Sequence, residues 1–120
     1  MGTFKKQFSL QKRKDESQKI LLKYEDKIPV IVEKHSGCSL NRIDKHKFLI
    51  PNEMTVGQFI YVIRKRIALT DQEALYLFVD KTLPMTSQTI KSLYEDYKNK
   101  SDFDGFLYIT YCNENTFGTN

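Results

Sequence analysis

The sequence predicts one α+β domain, with helices packed on a single mixed β-sheet. Three observations carry that expectation. Apolar residues recur at a spacing of about four through residues 3–24, the period of a helix face. The period drops to two at Ile28, as in a strand. From there strand-like and helix-like segments follow in the order ββαβαβ, and the 120 residues are about the length of one self-sufficient core.

Each element has its own warrant. Phe4 and Phe8, and then Ile20, Leu21 and Tyr24, predict two helical pieces with Ser9 as the N-cap between them. Ile28, Val30 and Val32 alternate with Pro29, Ile31 and Glu33, a strand with its proline near the start. His35 to Asn41 reads as a turn and Lys47 to Ile50, before Pro51, as a second strand completing a hairpin. Thr55 and Gln58 have capping-box spacing, and Val56, Phe59, Ile60, Ile63 and Ile67 follow at helical intervals. Leu75 to Val79 predicts a short buried strand. Thr86 or Ser87 should cap a helix whose stripe is Ile90, Leu93, Tyr94 and Tyr97, and Phe106 to Tyr111 is aromatic and β-branched, a fourth strand.

With 40% hydrophobic and 28% charged residues the composition is that of a folded, soluble chain. No apolar run is long enough to span a bilayer, the N-terminus lacks the apolar core of a secretory signal, and Lys6 stands where a myristoylation signal wants Ser or Thr. Two cysteines, Cys38 and Cys112, suit free thiols in a reducing compartment, so a cytoplasmic protein is expected. The net charge of +4 is clustered in Lys5, Lys6, Lys12, Arg13 and Lys14 and again in Arg64, Lys65 and Arg66. Such clusters meet nucleic acid, anionic lipid or acidic peptides, but no aromatic and basic interleaving on a strand favours nucleic acid.

Catalytic chemistry finds little support. His35 and Cys38 have a ligand-like gap, yet His46 and Cys112 supply no matching second pair, so neither a metal nor another cofactor is expected. No local signature marks a nucleophile with its base. The chain is expected not to be an enzyme.

The segments "QKRKDESQKI", "KIPVIVEK", "IDKHKFLIP", "TVGQFIYVIRKRI", "LYLFV", "LYEDYK", "DGFLYITY" and "ENTFG" resemble, in order and spacing, the autophagic ubiquitin-like modifiers related to the GABA-receptor-associated protein. The resemblance covers nearly the whole length. It implies a ubiquitin-like β-grasp core with a four-stranded mixed sheet and two added N-terminal helices: an extension over residues 1–25, the ubiquitin-like unit over 26–112 and a tail over 113–120, one structural domain in all.

In that family a C-terminal glycine is adenylated, passed as a thioester through activating and conjugating enzymes, and joined to phosphatidylethanolamine. Gly118 matches that position, and a residue without a Cβ leaves its acyl carbon open to attack. The resemblance further implies a dedicated cysteine protease that cuts between Gly118 and Thr119 with Phe117 as its handle. The free protein would be monomeric and cytoplasmic, the lipidated one on autophagosomal membranes.

The resemblance also implies capture of aromatic-x-x-aliphatic peptides of cargo receptors, added as a strand beside Lys47 to Ile50. Glu16, Ile20, Pro29, Ile31, Lys47, Leu49 and Phe106 match an aromatic pocket. Phe48, Ile50, Pro51, Met54, Phe59, Val62 and Arg66 match an aliphatic one. Lys27, Lys47 and Arg66 would attract acidic flanking residues, while Tyr76 and Phe78 match a second docking face. Ser101, Asp102 and Phe103 look inserted relative to the family, close enough to Phe106 to reshape the pocket rim. The alternative function is an unconjugated β-grasp adaptor in trafficking or cytoskeletal binding.

Overall fold

The structure is a computed structural model, described over residues 3–115. Its elements are α1 (Thr3–Gln7), α2 (Leu10–Lys23), β1 (Lys27–Lys34), β2 (Lys47–Pro51), α3 (Val56–Arg66), β3 (Tyr76–Phe78), α4 (Ile90–Tyr97) and β4 (Leu107–Cys112). The four strands form one sheet in the order β2-β1-β4-β3. The first and last strands pair in parallel at its centre, Val30 opposite Leu107. The flanking pairs are antiparallel, with Val30 opposite Phe48 and Leu77 opposite Tyr111.

Local chemistry sets the helix starts. The Ser9 hydroxyl accepts the Lys12 N–H at the head of α2. Thr55 and Gln58 complete a reciprocal capping box on α3, satisfying two backbone N–H groups that the helix leaves open. The α4 cap is Thr89, which accepts the Ser92 N–H, rather than Thr86 or Ser87. Those two residues lie in a turn whose carbonyls are taken by α3: Gly57 N–H donates to Thr86 O and Val56 N–H to Gln88 O.

One face of the sheet packs under α3 and α4. Ile28, Val30 and Val32 from β1 join Phe48 and Ile50, Phe59 and Ile63, and Leu107, Ile109 and Tyr111 in the main core. The expected alternation of β1 is only half its burial: Pro29 and Ile31 are buried as well. The N-terminal helices cover that side, where Ile31 forms a second cluster with Phe4 and Phe106. A strand covered on both faces loses its polar period.

Candidate functional site

Because β1 and β4 occupy the centre, β2 is an edge strand five residues long, and the opposite edge, β3, has only three. An edge strand keeps one row of main-chain N–H and C=O groups for an added chain. Along β2 the burial alternates cleanly: Phe48 and Ile50 point into the core, Lys47, Leu49 and Pro51 are exposed.

The aliphatic set is split by depth. Phe48, Ile50 and Phe59 are core residues, 6%, 4% and 0% exposed, with the Phe48 ring edge-on to Phe59 at 5.6 Å. They form the floor beneath the other residues of the set. Met54 and Val62 pack half-buried against that core, and Pro51 and Arg66 are exposed. Arg66 pairs with Asp44 at 3.0 Å and lies 5.8 Å over the Phe48 ring, with Lys45 at 4.9 Å. A positively charged rim over an apolar floor suits an aliphatic side chain followed by an acidic one.

The aromatic set is assembled but covered. Ile20, Ile31 and Phe106 meet in the second cluster, beside an ion pair between Lys47 and Glu16 and the exposed Leu49. Phe4 fills the space among them. Its ring meets Phe106 edge-on at 5.3 Å, Lys47 Nζ lies 5.9 Å above it, and its N–H donates to Glu33 Oε2 at 2.9 Å. Ile31 and Phe106 are thereby sealed to 0% and 1% exposure. Of the residues matched to the aromatic pocket, Ile20, Ile31 and Phe106 thus have Phe4 packed among them, while Lys47 and Leu49 stay exposed at the edge.

Asp104, which the sequence did not single out, ties α2 to the last strand. It is 3% exposed and accepts from Arg13 Nη1 at 2.5 Å, from the Tyr108 hydroxyl at 2.6 Å and from the Phe106 N–H at 3.0 Å. Burial disfavours the Arg13 charge, but the hydrogen bonds with Asp104 and Tyr108 outweigh it and raise its pKa. Burial and the neighbouring carboxylate push the Tyr108 phenol up as well. The Phe106 backbone, hence the floor of the aromatic pocket, is fixed by this carboxylate.

Phe103 turns away from the pocket onto Tyr94 and Tyr97, 5.6 and 6.2 Å between centroids, so of the three residues expected to be inserted it is Phe103 that braces α4. Only Asp102 reaches the N-terminal side, 3.8 Å from Lys5. Lys27 is half-buried at the start of β1. Phe78 is 1% exposed and Tyr76 half-buried, which leaves Tyr76 as the accessible member of that pair. Phe117, Gly118 and Thr119 lie outside the described residues.

A sequence model of the family described as autophagy protein Atg8, ubiquitin-like, matches residues 12–118. The chain belongs to the Atg8 family. Autophagy-related protein 8 of Schizosaccharomyces pombe is 53% identical over 116 residues, spanning 97% of this chain and 93% of the relative. Autophagy-related protein 8e of Arabidopsis thaliana is 54% identical over 115 residues, 96% of this chain and 92% of the relative. Among solved structures, Trypanosoma brucei ATG8 superposes with a TM-score of 0.85 at 31% identity, covering 93% of this chain and 94% of that one. The fold is therefore ubiquitin-like, as the resemblance implied. Atg8 membership makes this an autophagy-related ubiquitin-like protein, whose partners in general are those of a conjugation pathway. Among the described residues no helix is long and apolar enough to cross a membrane.

Proposed function

We propose that this Atg8-family chain is a modifier joined through Gly118 to phosphatidylethanolamine on autophagosomal membranes, acting there as an adaptor and not as a catalyst. The observation that carries the proposal is the extent of the family match, which stops at Gly118 and leaves Thr119 and Asn120 beyond it. A cysteine protease hydrolyses the Gly118–Thr119 amide and frees the Gly118 carboxylate. Adenylation and transfer to enzyme thiols activate that carboxylate as a thioester, and the lipid amine displaces the thiol to form an amide. Between conjugations the free protein is a cytoplasmic monomer.

The adaptor role belongs to the β2 edge. Cargo-receptor peptides of aromatic-x-x-aliphatic form would add beside Lys47–Pro51, the aliphatic residue resting between Met54, Val62 and Pro51. The surface ion pairs of Lys47 and Arg66 are of a kind worth at most about 1 kcal/mol each, so both cations are available to an acidic peptide.

Intact-mass measurement of the protein recovered from its own cells tests the conjugation. A soluble form ending at Gly118 and a membrane form heavier by one phospholipid are expected, and Gly118→Ala should abolish the second. Full-length chain alone in both fractions would leave an adaptor that is never conjugated.

A further inference from the structure

We propose that Phe4 is a built-in occupant of the aromatic pocket, and that a peptide's aromatic side chain binds by displacing it. The inference rests on the peptide-docking reading above and adds the residue that sets affinity at that half of the edge. Phe4 sits at 6% exposure against Ile20, Ile31, Phe106 and Tyr108. Three of these match the aromatic pocket, and Lys47, which matches its rim, lies over the Phe4 ring. An aromatic ring meeting Phe106 edge-on is what an incoming Trp, Tyr or Phe would itself present to this site.

The tether is built to let go. Helix α1 has five residues, far below the length at which a helix is stable alone in water, so its place depends on what it packs against. Its other anchors are few: the Phe4 N–H on Glu33, Lys5 against Asp102 at 3.8 Å with Asp102 63% exposed, Lys5 over the Tyr108 ring at 4.5 Å, and, just past its end, Arg13 Nε donating to the Phe8 carbonyl at 3.0 Å. Phe8 lies tilted against Phe4, 5.1 Å between centroids, and is 37% exposed. One buried side chain therefore dominates the closed state. When it leaves, Ile20, Ile31 and Phe106 remain positioned, since α2 and the Phe106 backbone are fixed by Ser17 and Asp104.

A ligand that binds only the open state has its apparent affinity reduced by the fraction open. Calorimetric titration of the full chain and of Phe4→Ala with a synthetic acidic-Trp-x-x-Leu peptide reads that fraction. If the open state is on the order of a tenth populated, Phe4→Ala binds about tenfold tighter. The same peptide with Trp replaced by Ala separates displacement from a general loosening, because its affinity should not differ between the two proteins. In the unmodified protein, Phe4 to Phe106 proton contacts in NMR spectra should vanish at peptide saturation. Equal affinities for the Trp peptide, a gain shared by the Ala peptide, or contacts that survive saturation overturn the displacement and leave peptide docking standing. Binding by neither protein removes the docking reading itself.

Discussion

Arg13 Nη1 donates to Asp104 Oδ2 at 2.5 Å across 91 residues of chain, with the two side chains 12% and 1% exposed. A carboxylate this buried is tolerated only because three donors converge on it. Asp104→Ala strands the Arg13 charge, the Phe106 N–H and the Tyr108 hydroxyl together, and should destabilise the fold by about 3–5 kcal/mol. Urea unfolding followed by circular dichroism measures it. A loss under about 1 kcal/mol would mean that the cluster is solvated and does not hold α2.

Gly105, the next residue, has φ of +99°, and a Cβ there would come within 2.0 Å of Ser17 Oγ. Gly105→Ala should therefore cost at least about 2 kcal/mol, from backbone strain and overpacking together. Ser17→Gly alone loses the Ser17 hydroxyl's bond to Asp104 O and puts a glycine inside α2, so the overpacking is read as the coupling between the two substitutions and the strain as the part that does not couple. Thermal melts of both single variants and the double variant check this, and costs that simply add would place the whole Gly105→Ala penalty in the backbone.

Alkaline pH should unfold the protein through its tyrosines. Burial pushes Tyr94 from 10.0 up to about 12, and Tyr97, Tyr108 and Tyr111 shift the same way, burial again the main cause. The folded state thus holds its phenolic protons more tightly than the unfolded one. Stability is fully present below about pH 10, where both states are protonated, and is lost as pH rises through about 12. Phenolate absorbance and circular dichroism should change together in that window. Early ionisation with intact structure would show these rings to be accessible.

The cationic rim makes a prediction of its own. Lys47→Glu and Arg66→Glu should each weaken an acidic-flanked peptide several-fold, with the difference from the parent shrinking as salt rises. Neither should lower the melting temperature much, since both side chains pair only at the surface. Fluorescence anisotropy at two ionic strengths is sufficient, and an unchanged affinity at low salt would remove both residues from the docking edge.

The fold was largely legible because its signals are local. The Thr55 and Gln58 box, the Ser9 cap and the helical spacing of Val56, Phe59 and Ile63 each sit within a few residues of sequence. The α4 cap was misplaced because Thr86, Ser87 and Thr89 have equal capping chemistry, and only the neighbouring α3 chooses among them. The resemblance located Ile31 and Phe106, but no local pattern could show Phe4 closing over them, because that contact joins opposite ends of the chain. Asp104 escaped for the same reason: an acidic residue in a polar turn reads as solvated until Arg13 and Tyr108 are seen to converge on it.

The parallel pairing of β1 with β4 also governs when the molecule can come into being. During synthesis the ribosome delivers both N-terminal helices and three strands before Leu107, the partner of Val30, has been made. Until then β1 presents an open apolar edge where the middle of the sheet will be, and the second cluster lacks Phe106. Nascent chains should therefore depend on chaperones until β4 emerges. Closure of the sheet then comes as one late event, so a translation product arrested upstream of β4 has neither a complete core nor the Phe106 floor of its docking site.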